Sequence, residues 1–140
     1  MAGPTDPVSD YLSLMSTDND SEGKENLQIW ESGQARMGAT LWQRPDLYLK
    51  ESTVLHADRI TTPVLIIHNK QDGAVPWRQA VELYLALRRL DKPVWLLQYA
   101  GENHSLINEN AAMDYTLKLT TFFDHYLKGQ PLPHWMDPGD

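Results

Sequence analysis

Two short apolar runs, each followed at once by a polar loop, constrain this chain more than anything else in it. Val64-Leu65-Ile66-Ile67-His68 leads into Asn69-Lys70-Gln71-Asp72-Gly73-Ala74-Val75-Pro76, and Val94-Trp95-Leu96-Leu97-Gln98-Tyr99 leads into Ala100-Gly101-Glu102-Asn103-His104. Continuous apolar runs of this length read as strands over 64–68 and 94–99, covered on both faces as in a parallel sheet. Between them, residues 77–90 place Val81, Tyr84, Leu87 and Leu90 on one helical face, with Leu83 near its edge. Pro63 is tolerated at the start of a strand, and Asp91-Lys92-Pro93 ends the helix. The series strand, loop, helix, strand predicts parallel strands joined by a crossover helix. Ligands of such sheets bind at the carboxyl ends of the strands. Asp72 and His104 are both expected at that edge.

The rest of the chain is less regular. Residues 109–128 predict a final helix in which Met113, Leu117, Thr120, Phe123 and Leu127 recur at steps of three or four, with Gly129 as its cap. Residues 130–140 carry Pro131, Pro133 and Pro138 and read as a surface segment. Residues 1–10 read as a loop or strand end, 11–15 as a short helical turn, and the acidic stretch 16–26 as an exposed loop. Residues 27–50 suggest short helices joined by turns, with Pro45 in a first helical turn, and 52–57 a further short helix. No internal repeat is present.

Composition excludes several classes. At 140 residues the chain is one domain at most, and its 41% apolar share indicates a folded core rather than disorder. A net charge of -7 argues against nucleic-acid binding, which wants a basic face. The chain has no cysteine, so disulfides, thiolate metal sites and a Cys nucleophile are excluded. No His-Glu-x-x-His occurs, and no metal or other cofactor is implied. No run approaches the roughly 18 apolar residues of a membrane span.

An acid and then a histidine, on loops after successive parallel strands, match the last two members of a Ser…Asp…His triad in the order used by α/β-hydrolases. A serine hydroxyl is a poor nucleophile until a base takes its proton. Histidine suits that task, with an unperturbed pKa of about 6.5. A carboxylate on the other ring nitrogen fixes the tautomer and stabilises the imidazolium. In this reading Asp72 orients and His104 is the base. The plain alternatives are an aspartate at the start of a helix and a surface loop histidine. Glu102 is the competing acid, disfavoured because a neighbour two residues away reaches the ring poorly. His68 ends a strand and reads as packed or backbone-bonded. Trp77 and Trp95 read as core, whereas Trp30 and Trp42 either pack or line a pocket. The nucleophile motif Gly-x-Ser-x-Gly is absent from these 140 residues. Asn19-Asp20-Ser21 and Asn103-His104-Ser105 match the glycosylation pattern, which chance explains more simply.

Taken together, residues 63–77, Glu82-Leu83-Tyr84, Ala86-Leu87-Arg88-Arg89-Leu90, Tyr99-Ala100-Gly101-Glu102-Asn103-His104 and Phe122-Phe123-Asp124-His125-Tyr126-Leu127-Lys128-Gly129 resemble the C-terminal part of the catalytic domain of prolyl oligopeptidase family serine peptidases. Gly38-Ala39-Thr40-Leu41-Trp42 and Pro45-Asp46-Leu47-Tyr48 also fit one branch of that family. The resemblance implies an α/β fold, the C-terminal portion of an α/β-hydrolase. It also implies serine peptidase activity on short peptides without a cofactor, with Asp72 and His104 as catalytic residues. The nucleophile strand, oxyanion donors and any β-propeller are then expected upstream of residue 1. The chain alone is expected to be inactive, and to self-associate or pair with that N-terminal part. Two other readings stand beside this one: an esterase-type α/β-hydrolase fragment, and a non-catalytic module that self-associates through a sheet edge.

Overall fold

The computed structural model describes residues 3–16 and 24–137. It divides into two units, Met1–His104 and Ser105–Asp140, each taken by itself below.

In the first unit the expected parallel pairing is present. Strands β3 (Val64–Ile67) and β4 (Val94–Leu97) are hydrogen-bonded in parallel, with Val64 opposite Val94 and Ile67 opposite Leu97. Both are shorter than the apolar runs suggest. The backbone N–H of His68 still bonds Leu97 O at 3.1 Å, but the chain then turns to place the loop. The crossover is α4 (Trp77–Arg89). Its buried face is centred on Ala80, Leu83 and Leu87 rather than on Val81 and Leu90, and Leu90 is exposed. The packing partners decide this. Leu83 and Leu87 meet Val94 of β4 and Ala57 of the 3₁₀ turn Val54–Arg59, so the turn rotates the buried stripe toward itself. The strand residues are mostly half-buried rather than covered on both faces. After α4, Asp91 takes the left-handed conformation (φ 53°), and Lys92 N–H closes the end on Leu87 O at 2.9 Å.

Smaller elements precede this sheet. They are α1 (Pro7–Tyr11), β1 (Leu14–Met15), β2 (Lys24–Glu25), α2 (Leu27–Glu31) and α3 (Pro45–Lys50). The helical turn expected over 11–15 lies instead at α1, where Asp6 accepts from Val8 and Ser9 N–H and Pro7 sits at the first helical position. Leu14 and Met15 pair antiparallel with β2. The loop expected over 16–26 is corrected at its end, because Asn26 is buried. Residues 17–23, with the Asn19 glycosylation pattern, lie outside the described residues. A second core joins Tyr11, Trp30 and Tyr48, with Tyr11 edge-on to Tyr48 at 5.3 Å. Trp42 is 71% exposed, its ring edge-on to Tyr11 at 5.9 Å.

The second unit contains α5 (Glu109–Lys128) and a 3₁₀ turn, His134–Met136. Asn108 caps α5 by accepting from Asn110 and Ala111 N–H, and Gly129 ends it at φ 67°. Trp135 Nε1–H donates to Thr121 Oγ1 at 3.1 Å. Of the residues that recur at helical spacing, Met113, Leu117, Phe123 and Leu127 are exposed, and Phe122 is the buried residue of the helix. Periodicity marks which side chains share a face, not which face finds cover.

Candidate active site

The loops after β3 and β4 come together at the carboxyl edge of the sheet. His104 Nδ1 lies 2.9 Å from one oxygen of Asp72 and 3.1 Å from the other. A carboxylate only accepts, so Nδ1 carries the hydrogen and Nε2 is the ring nitrogen left for proton transfer. The Asp72 side chain is 1% exposed and that of His104 32%. Glu102 is buried two residues before His104, but the imidazole turns to Asp72.

Asp72 is held by more than its histidine. Its Oδ1 accepts from the backbone N–H of Ala74 and of Val75, each at 2.9 Å. His68 Nε2 lies 2.9 Å from Val75 O and 3.3 Å from Asp72 Oδ2. Both partners are acceptors, so His68 donates from Nε2. Its ring is 2% exposed and meets Trp77 edge-on at 5.7 Å. Burial alone would raise the pKa of the Asp72 carboxyl. The hydrogen bonds from His68, Val75, His104 and Ala74 outweigh it and bring the pKa down to about 2. Asp72 is therefore an ionised acceptor at neutral pH.

Two asparagines fasten the loops to each other. Asn69, buried at the end of β3, accepts from Tyr99 N–H at 2.9 Å and donates to Asn103 O at 2.7 Å. Asn103 Oδ1 accepts from Gly73 N–H at 3.0 Å and from His104 N–H at 2.7 Å. Thus each loop supplies one side chain that satisfies backbone groups of the other. Sequence reasoning missed both as site residues. Their only signal in the sequence is a position directly beside the strand end and the histidine. Gly73 O also accepts from Ser16 N–H at 2.7 Å, and a Cβ at Gly73 would stand 2.2 Å from Ser16 O. Glycine is required there by close approach of a second backbone.

His104, Ala74 and Val75 border an open cavity of about 430 Å³. Pro4, Met15, Ile29, Trp30 and Ala35 give it an apolar wall, and Asp10, Asn26 and Gln34 the polar groups. Trp30 thus fulfils both readings made of it, packing on Tyr48 and facing the cavity.

The bonded Asp72–His104 pair lies on the carboxyl edge of a parallel sheet, beside an apolar cavity, and the fold is a portion of the α/β-hydrolase architecture. The profile of the Prolyl oligopeptidase family matches residues 2–130, and the chain belongs to that family. It is 36% identical over 66 residues to the acylamino-acid-releasing enzyme of Rattus norvegicus, covering 47% of this chain and 9% of that protein. It is 29% identical over 105 residues to the enzyme of the same name from Sus scrofa, covering 71% and 13%. Among solved structures, a puromycin-hydrolyzing peptidase of Mycobacterium tuberculosis superposes with a TM-score of 0.55 at 28% identity, over 56% of this chain and 12% of that one. An acylaminoacyl peptidase in complex with Z-Gly-Gly-Phe-chloromethyl ketone gives 0.59 at 24% identity, over 65% and 15%, a likeness of fold. The chain therefore spans between 9% and 13% of the length of these curated relatives. No helix among the described residues is long and apolar enough to cross a membrane.

Proposed function

We propose that this chain supplies the acid and the base of a serine peptidase triad, Asp72 and His104, and that the nucleophile and oxyanion donors come from residues outside these 140. The observation that carries the reading is the bond from His104 Nδ1–H to the Asp72 carboxylate. It directs Nε2 to take a serine proton and later return it to the leaving amine. Asp72, already ionised, stabilises the imidazolium formed in between. The same pair serves ester cleavage equally well. The names of the relatives, peptidases and acylamino-acid-releasing enzymes, favour short peptides as substrates.

The test is turnover of a peptide p-nitroanilide by a longer gene product that joins these residues to a Gly-x-Ser-x-Gly segment. His104→Ala should abolish turnover while leaving folding intact. Asp72→Asn should cost about 10⁴-fold in kcat, as in well-studied triads. Glu102→Gln should cost far less; a larger loss than with Asp72→Asn would mean that the acid is misassigned. The 140-residue chain by itself should release no p-nitroaniline. Turnover by it would overturn the assignment of the nucleophile to another segment.

A further inference from the structure

Gln79 is 0% exposed, and neither candidate catalytic loop contains it. It is the third residue of α4, and its N–H bonds Pro76 O at 2.9 Å. The helix thus continues directly from the loop that carries Asp72, whose Oδ1 accepts from Val75 N–H. From there the Gln79 side chain reaches back to residues 5–9. Its Oε1 accepts from Thr5 N–H and from Asp6 N–H, each at 2.8 Å. Its Nε2–H donates to Ser9 Oγ at 2.7 Å, and the Thr5 hydroxyl returns a bond to Gln79 O at 2.6 Å. Two N–H donors on one atom fix the amide with its oxygen toward Thr5 and Asp6. A glutamine is seldom buried this deeply unless its bonds are met, and here they are met by the backbone of a distant segment.

What those bonds hold bears on the cavity. Gly3 and Pro4 line it together with Ala74, Val75 and His104. The Pro4–Thr5 peptide is planar, so fixing Thr5 N–H fixes the Pro4 carbonyl with it. The Pro4 ring locks φ as well, which leaves this part of the wall little freedom. We propose that Gln79 is a positioning residue: through Oε1 it holds the Gly3–Pro4 wall of the cavity in place against the Asp72–His104 pair. A methionine fills the same space but leaves two backbone N–H groups without that acceptor. Val54 N–H still reaches Thr5 O at 3.2 Å, so loss of Oε1 loosens the segment without releasing it. A glutamate keeps the acceptor in either protonation state. Charged, both of its oxygens accept; neutral, one oxygen accepts and the O–H donates to Ser9 Oγ.

As a statement about catalysis this rests on the function proposed above; as a statement about the wall it does not. In the longer gene product, Gln79→Met should lower kcat about 10²-fold, the cost of misplacement by about an ångström, with KM changed by less than about threefold. Gln79→Glu should recover the rate to within about fivefold of the natural protein. The acid limb of the pH dependence of kcat should stay in place in both variants, because Asp72 and His104 remain paired. In the 140-residue chain, amide hydrogen exchange followed by NMR should find Thr5 and Asp6 protected. Gln79→Met should release both while Val75 stays protected. Free exchange at Thr5 and Asp6 in the natural chain overturns the proposal. So does equal release of Val75, which marks a loss of stability throughout the unit. An unchanged kcat in Gln79→Met, a moved acid limb, or a glutamate variant as slow as the methionine one also overturns it. If Gln79→Met does not fold, Gln79→Asn takes its place, since it keeps an amide but draws it back by one methylene, and the same outcomes decide. Unaltered turnover in His104→Ala would sink the peptidase reading and leave the exchange result standing. A failed exchange pattern would do the reverse.

Discussion

At the scale of the residue, Asp72 does two jobs with two oxygens. Oδ1 caps the loop through Ala74 and Val75 N–H, and the carboxylate as a whole receives His68 and His104. The loop-capping bonds of the aspartate and its bond to His104 are therefore one arrangement. With its pKa lowered to about 2 in the folded chain and about 3.9 when unfolded, Asp72 binds a proton more readily in the unfolded state. Its contribution to stability is present above about pH 4 and is lost as pH falls toward 2. Denaturant unfolding at pH 6 and at pH 2.5 should show this. Asp72→Asn should lose less stability than the natural chain over that interval, and equal losses in the two proteins would contradict it. Gly73 offers a second test. Gly73→Ala sets a Cβ against Ser16 O, so the loop must move. The expected cost is about 1–3 kcal/mol in stability, read from the denaturation midpoint. In an active protein, displacement of Asp72 by an ångström should cost about 10²-fold in rate.

At the scale of the element, the strands and α4 were legible because they obey periodicity and punctuation. Pro63 and Pro93 set the strand starts, and the apolar runs set the strands. The two candidate catalytic residues were legible for the same reason, since a parallel sheet presents its loops at one edge. What was illegible depends on contacts made at long range in sequence. Leu83 rather than Val81 faces the core because the 3₁₀ turn around Ala57 lies on that side. Asn69 and Asn103 matter only because the loops meet, and nothing in their own neighbourhood says so. Asn26 fell in a stretch polar enough to pass for solvent-exposed loop. Local chemistry was read correctly at the end of α5, where Gly129 holds φ at 67° with nothing near its missing Cβ. Gly129→Ala should therefore cost about 1 kcal/mol of stability through backbone strain alone, measurable as a lowered denaturation midpoint.

At the scale of the whole molecule, the feature that bears on behaviour in solution is the exposed face of α5. Met113, Leu117 and Leu127 are 71%, 64% and 76% exposed on one helix. Apolar area of that kind favours association. Concentration-dependent self-association is expected in sedimentation of the purified chain, and Leu117→Lys should shift it toward monomer. A chain that sediments as a monomer at every concentration would instead support a self-contained module. Inside the first unit, the bond from Gly73 N–H to Asn103 Oδ1 joins positions 30 residues apart. It forms only once β3, α4 and β4 have closed and both loops have docked. Amide hydrogen exchange at Gly73 is then a clock for this event, protected only in molecules where docking is complete. A partly folded chain carries both the aspartate and the histidine yet lacks the bond between them, so the pair exists as a pair only where docking is complete.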